Sequence, residues 1–156
     1  MSHKSSVMNL LPPIRSWKKR NKFVLLAVLF FSLLSVYPVF VLGYTWMKVL
    51  QSDLPGGRHG PLDAYRHTLA SAIVAHTFNE DVVDWVGDVM EDDGYVSQRM
   101  DKHNNRIGAG IGTRARTFFE IEAAVAKRVS KGRVMARDPE QSTWLPKVMW
   151  KDGKMW

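Results

Sequence analysis

Three short clusters carry the residues best suited to chemistry: Asp63-x-x-Arg66-His67-x-x-x-Ser71, Asp88-x-x-Glu91-Asp92 and Asp101-x-His103-Asn104-Asn105. A histidine side chain ordinarily titrates near neutrality, so His67 can act as a general base or nucleophile. Arg66 beside it can neutralise an anion such as a phosphate. The carboxylates Asp88 and Glu91, with Asp92, suit acid–base work or a hard divalent cation. The carboxamides of Asn104 and Asn105 can hold a histidine tautomer, fix a water or donate to an oxyanion.

These clusters need helices to bring them together. Pro61 suits a first helical position, and residues 62–78 are rich in Ala and Leu, which predicts a helix. At about 100° per residue, Asp63, His67 and Ser71 fall along one line, with Leu69 and Ile73 opposite. That helix is apolar almost all round, so it belongs at the centre of a bundle. Two readings stand for its polar triplet: a hydrogen-bonded structural set, with Asp63 as cap or orienting group, or a site. A second helix is expected over residues 79–92. Its acidic face of Glu80, Asp81, Asp84, Asp88 and Glu91 is either solvated surface or, at its far end, one wall of a cleft. The third is expected from Asp101, as N-cap, through Ile111. In it Gly108 and Gly112 permit close approach of another helix. A fourth spans residues 114–131, with Phe118, Ile121, Val125 and Val129 at 3.6-residue spacing. The tail has an Asp-Gly hairpin signal at residues 150–156, and its tryptophans among lysines would equally suit lipid headgroups.

The order of the motifs, Asp63-x-x-Arg66-His67, then Gly87-Asp88-x-x-Glu91, then Asp101-x-x-Asn104-Asn105-x-x-Gly108, resembles the bacterial Wnt-like domains of the lipocone group, over about residues 61–112. The resemblance implies a compact helical bundle whose inward polar residues act on lipid headgroups or other envelope phosphoesters. It marks Arg66, His67, Asp88, Glu91, Asp101, Asn104 and Asn105 as matching positions. The chain departs from the pattern at Met90, where many members carry histidine before the glutamate; His103 is the candidate substitute.

Residues 23–42 are twenty consecutive uncharged residues, long enough as a helix to span roughly 30 Å of hydrocarbon. Six of the chain's basic residues and no acid precede this run, while sixteen Lys/Arg against fifteen Asp/Glu follow it. Nearly all of the +7 net charge, +6 of it, therefore sits beside the apolar run, which argues against a nucleic-acid partner and for a cytoplasmic N-terminus by the positive-inside rule. The run is longer than a signal peptide's apolar region and leads into Gly43-Tyr44-Thr45-Trp46, a poor cleavage sequence. An uncleaved signal anchor is expected, with the rest of the chain periplasmic or extracellular. The chain has no cysteine, so disulfides and thiolate metal sites are excluded.

The expected organisation is a basic tail (1–22), a transmembrane anchor (23–47), a linker (48–60), a helical domain (61–132) and a Trp-rich tail (133–156). The fold class is all-α, a small four-helix bundle on one membrane helix. The function expected is a membrane-anchored, extracytoplasmic hydrolase or transferase acting on lipid or glycolipid phosphoesters. His67, Arg66, Asp88, Glu91, Asn104 and Asn105 would be catalytic, and Asp63, Ser71, Asp101 and His103 would orient substrate. A divalent metal on Asp88, Glu91 and Asp92 is the candidate cofactor. The alternative is a non-catalytic interaction module for an envelope protein partner.

Overall fold

A computed structural model describes the backbone of residues 14–90, 95–151 and 153, and side chains over the same stretches apart from 14–20 and 88–90. The protein is all-α, with five α-helices and one minimal pair of strands among the described residues. By its contacts the chain divides into two units, Met1–Val39 and Phe40–Trp156.

The first unit contains most of α1, the helix Ile14–Gln51. α1 is long and apolar enough to cross a membrane, with a mean hydropathy of 2.5 over its most apolar window. Its side chains there are nearly all exposed, from Phe23 at 74% to Val39 at 67%. Such a surface is costly in water and suits lipid. Pro38 lies inside α1 without ending it.

The second unit starts with the last turns of α1, where the pattern changes. Val41, Thr45 and Val49, each four residues apart, are almost fully buried. Tyr44 and Lys48 on the same stretch both reach Glu122, the lysine at 2.8 Å. Four helices follow: α2 (Pro61–Thr77), α3 (Glu80–Met90), α4 (Val96–Arg114) and α5 (Phe118–Ser130). α2 is the central element, as its all-round apolar sequence predicts: Leu62, Ala64, Leu69, Ala72 and Ile73 are each 2% exposed or less.

α2 packs chiefly on α4, and glycine makes that possible. A Cβ at Gly108 would stand 2.3 Å from the Thr68 carbonyl oxygen, and one at Gly112 would stand 2.1 Å from that of Ala72. Both glycines are thus consumed inside the domain and do not offer a contact surface to another protein. α5 closes the bundle with Ile121, Val125 and Val129, the expected stripe.

Several boundaries differ from the sequence reading. α4 begins five residues before Asp101, so Asp101 is not its N-cap; the turn at Tyr95 is held by its own N–H donating to Gln98 Oε1 at 3.1 Å. Arg114 ends α4 and does not begin α5: Ala115 and Thr117 are extended, and the Thr117 hydroxyl caps the Glu120 N–H. Among the described side chains of α3, Val83 is buried against Ala75 and Ala109, while Val86 is 38% exposed.

The largest difference is the tail. It is docked along the domain. Strands β1 (Arg133–Val134) and β2 (Thr143–Trp144) pair in parallel, and Lys147–Met149 forms one 3-10 turn. Beyond them the tail zips onto the segment before α2. Leu145 N–H donates to the His59 carbonyl at 2.9 Å, and Lys151 N–H to that of Arg58 at 3.1 Å. The Trp150 ring lies so close to Gly56 that a Cβ there would meet it at 2.7 Å, and Gly56 itself has φ +76°. Gly56, Arg58 and His59, within the expected linker 48–60, are therefore one side of a two-sided seam. The expected hairpin at 150–156 rests on Asp152 and residues 154–156, which lie outside the described residues.

Candidate functional site

Asp63, His67 and Ser71 emerge from α2 at four-residue intervals and face the first half of α4, where Asp101 and Asn105 are also four apart. The glycines Gly108 and Gly112 one and two turns on bring the helices close enough for the two rows to meet. His67 stands at their centre. Its Nδ1 lies 3.3 Å from Asn105 Oδ1, which also accepts the Ser71 hydroxyl at 2.9 Å. Its Nε2 lies 3.4 Å from Asp101 Oδ1 and 3.6 Å from Asp63 Oδ1.

Asp63 is the buried anchor of this group, with 2% of its side chain exposed. Two donors besides histidine compensate its charge. The backbone N–H of His59 reaches Oδ2 at 2.6 Å, and the Arg66 guanidinium contacts Oδ1. Arg66 also lies over the indole of Trp46, 5.4 Å from the ring centroid. The imidazole of His67 keeps about a quarter of its surface exposed, enough for a ligand to reach it. Burial lowers its proton affinity below the usual histidine range, the Asp63 carboxylate opposing that effect.

This arrangement has the parts of an acid–base site: an imidazole fixed at one nitrogen by an amide oxygen, its other nitrogen turned to two carboxylates, and a guanidinium alongside. Donor atoms of Asp63, His67 and Asp101 lie within 4.8 Å of one another, so these three, among the described residues, are the set able to hold a cation. The metal candidates of the sequence reading are different: Glu91 and Asp92 lie outside the described residues, and so does the side chain of Asp88.

Two expected members are not at the site. Asn104, fully buried, turns its amide onto the tail: Nδ2 donates to the Thr143 carbonyl at 2.8 Å, and Oδ1 accepts the Thr143 N–H at 3.0 Å. This is the pairing of a strand partner, which fastens β2 to α4. His103 Nε2–H donates to the Gln141 carbonyl at 2.8 Å and belongs to the same attachment. Consecutive residues on a helix point about 100° apart, so Asn104 and Asn105 cannot both face α2.

His59 is the residue the sequence reading passed over. It sits in the left-handed region, φ +67°, rare for a residue with a Cβ. Its Nδ1 is 3.9 Å from Asp63 Oδ2. Burial lowers its proton affinity too, again against the pull of Asp63. Its flanking glycines, Gly57 and Gly60, were the available signal, and they read as an ordinary turn. A separate open depression of about 580 Å³ between α4 and α5 mixes Arg114, Lys127 and Lys131 with Glu120 and Glu140 and includes none of these groups.

No family model, no characterised protein and no solved structure matches this chain.

Proposed function

We propose that the protein is a membrane-anchored hydrolase or transferase, facing outward from the cytoplasm, that acts on phosphoesters of lipid headgroups or envelope glycolipids. One observation supports this most: His67 is held at Nδ1 by Asn105 while Nε2 faces Asp63 and Asp101, with Arg66 adjacent. In this reading His67 Nε2 takes the proton of the attacking water or hydroxyl. The imidazolium so formed is stabilised electrostatically by the two carboxylates, while Asn105 at Nδ1 takes the orienting position that an acid holds in a hydrolytic triad. Arg66 shifts part of its charge from Asp63 to the phosphoryl oxygens as negative charge builds there. Asp88 and Glu91 remain candidates for protonating the leaving group. Their motif resembles the Wnt-like pattern apart from Met90, and that resemblance is the second support for a phosphoester substrate.

The test is incubation of the purified full chain with extracted envelope lipids, with and without chelator, followed by mass analysis of headgroups. Wild type should release or exchange headgroups; His67→Ala should not, while keeping its helical circular dichroism. Full turnover in His67→Ala would end the proposal. The chelator arm separates a metal-dependent reaction from one run by the imidazole alone. Orientation is tested by single cysteines labelled from outside whole cells. Ser142 is fully buried and unsuitable as a reporter, whereas Val148 is 91% exposed. Labelling at Val148→Cys and not at Ser5→Cys is the expected result. The rival reading, a non-catalytic interaction module, would have to use the Trp-rich tail as its contact surface, since Gly108 and Gly112 are packed against α2.

A further inference from the structure

α5 starts beside the end of the apolar run of α1. The Phe118 ring lies edge-on to Phe40, centroids 6.1 Å apart, and 6.0 Å from Tyr44. Phe40 and Leu42 belong to the last turn of the uncharged stretch 23–42. At 1.5 Å per residue, Phe40 stands about 3 Å inside the end of that stretch. The turn from α4 into α5 is thus level with the place where α1 stops being purely apolar.

The chemistry of that turn is unusual for a water-facing corner. Phe119 is 79% exposed next to Phe118, and Arg114 and Arg116 are exposed immediately before them. The acid of the turn, Glu120, is folded back to accept the Arg116 N–H at 2.7 Å. Two arginines, two phenylalanines and a carboxylate already engaged make a surface that a headgroup layer satisfies: guanidinium groups on lipid phosphates, an aromatic ring at the top of the acyl chains. A protein partner would equally cover Phe119. The continuity of this patch with the end of the apolar run favours lipid.

We infer that the turn formed by residues 114–119 is a membrane-seating element, with Phe119 inserted at the interface of the same bilayer that holds α1 and with Arg114 and Arg116 on its anionic headgroups. The inference rests on the membrane-anchored reading above. It has a consequence for the site. Trp46 is four residues, about 6 Å of helix rise, beyond Leu42, and Arg66 lies against its ring. A domain seated by Phe119 holds Arg66 and His67 at headgroup depth, so a lipid phosphate reaches them without leaving the bilayer.

The absence of native cysteine makes the test direct. Phe31→Cys, Phe119→Cys and Val148→Cys, each in the full chain, are labelled with an environment-sensitive fluorophore. They are reconstituted into phosphatidylcholine–phosphatidylglycerol vesicles with or without doxyl lipid. The label at 119 should be quenched about twofold by a shallow doxyl group, as expected of an interfacial side chain. The label at 31 should be quenched by a deep doxyl group, and the label at 148 by neither. Quenching at 31 without quenching at 119 overturns the seating element and leaves the anchor standing. No quenching at 31 removes the anchor and the seating element together. Arg114→Glu with Arg116→Glu should weaken quenching at 119 in the anionic vesicles; unchanged quenching would overturn the arginines' role.

Discussion

Replacing Gly108 with Ala should separate the two helices that build the site. The new Cβ would lie 2.3 Å from the Thr68 carbonyl oxygen, 3.0 Å from its carbon and 2.9 Å from Ser71 Cβ. A carbon and a carbonyl oxygen come no closer than about 3.3 Å in ordinary contact, so α2 and α4 must part by roughly 1 Å. The obstacle is helix backbone, which no side-chain rotation can relieve. Overpacking of this sort costs about 1–3 kcal/mol, and the gap opened around the fully buried Ala72 and Leu69 adds to it. Alanine's better helix propensity returns about 1 kcal/mol. At the middle of that range the net loss is about 1 kcal/mol before the gap is counted, a melting point lowered by at least roughly 5 °C for a domain of this size. The assay is thermal and urea unfolding of the full chain in detergent, followed by circular dichroism. The control is Gly87→Ala on α3, where an added Cβ meets nothing within 4 Å. That variant should gain up to about 1 kcal/mol. The same parting would stretch the His67–Asp101 and His67–Asn105 distances, so headgroup turnover should fall along with stability. Gly108→Ala melting at or above wild type, as the control does, would refute the close crossing and the site geometry built on it.

Asn104→Leu removes both bonds to Thr143 and leaves a buried N–H and carbonyl without partners, costing about 2–5 kcal/mol; hydrogen exchange at Thr143 and Leu145 should rise first, and unchanged protection there would contradict the docked tail. Glu122 is governed by opposing effects: burial raises its pKa, but hydrogen bonds from Lys48 and Tyr44 together outweigh this and hold it below the usual glutamate range. The folded carboxylate thus stays ionised where the unfolded one takes a proton, so its stabilisation is present above about pH 4.3 and is lost as pH falls toward the folded pKa. Glu122→Gln should flatten the acid limb of the stability curve, and an unaltered limb would show that Glu122 does not set it. Asp101→Asn should reduce turnover about 10- to 100-fold, the worth of one charged partner of the imidazolium, while shifting the melting point little; wild-type turnover would remove Asp101 from the mechanism.

Local pattern made much of this fold legible. The uncharged run, the four helices after it and the central place of α2 follow from residue types repeating every 3.6 positions, a property of each segment taken alone. The small residues at 108 and 112 likewise announce a close crossing, and Asp63, His67 and Ser71 share a line wherever α2 lies. Across that crossing, Asn105 and Asp101 of α4 lie opposite His67.

What remained for the tertiary structure was the choice of partners. Asn104 and Asn105 are the same residue type in adjacent positions, yet one orients His67 and the other is locked to Thr143, because helix rotation aims them at different neighbours. Nothing near residue 59 in the chain reveals that residue 145 pairs with it and helps hold His59 beside Asp63. Such pairings join backbone groups many residues apart that every residue but proline offers in the same form, so they leave no local signature. Periodicity determined which faces these helices bury. Only packing decided which atoms meet across them.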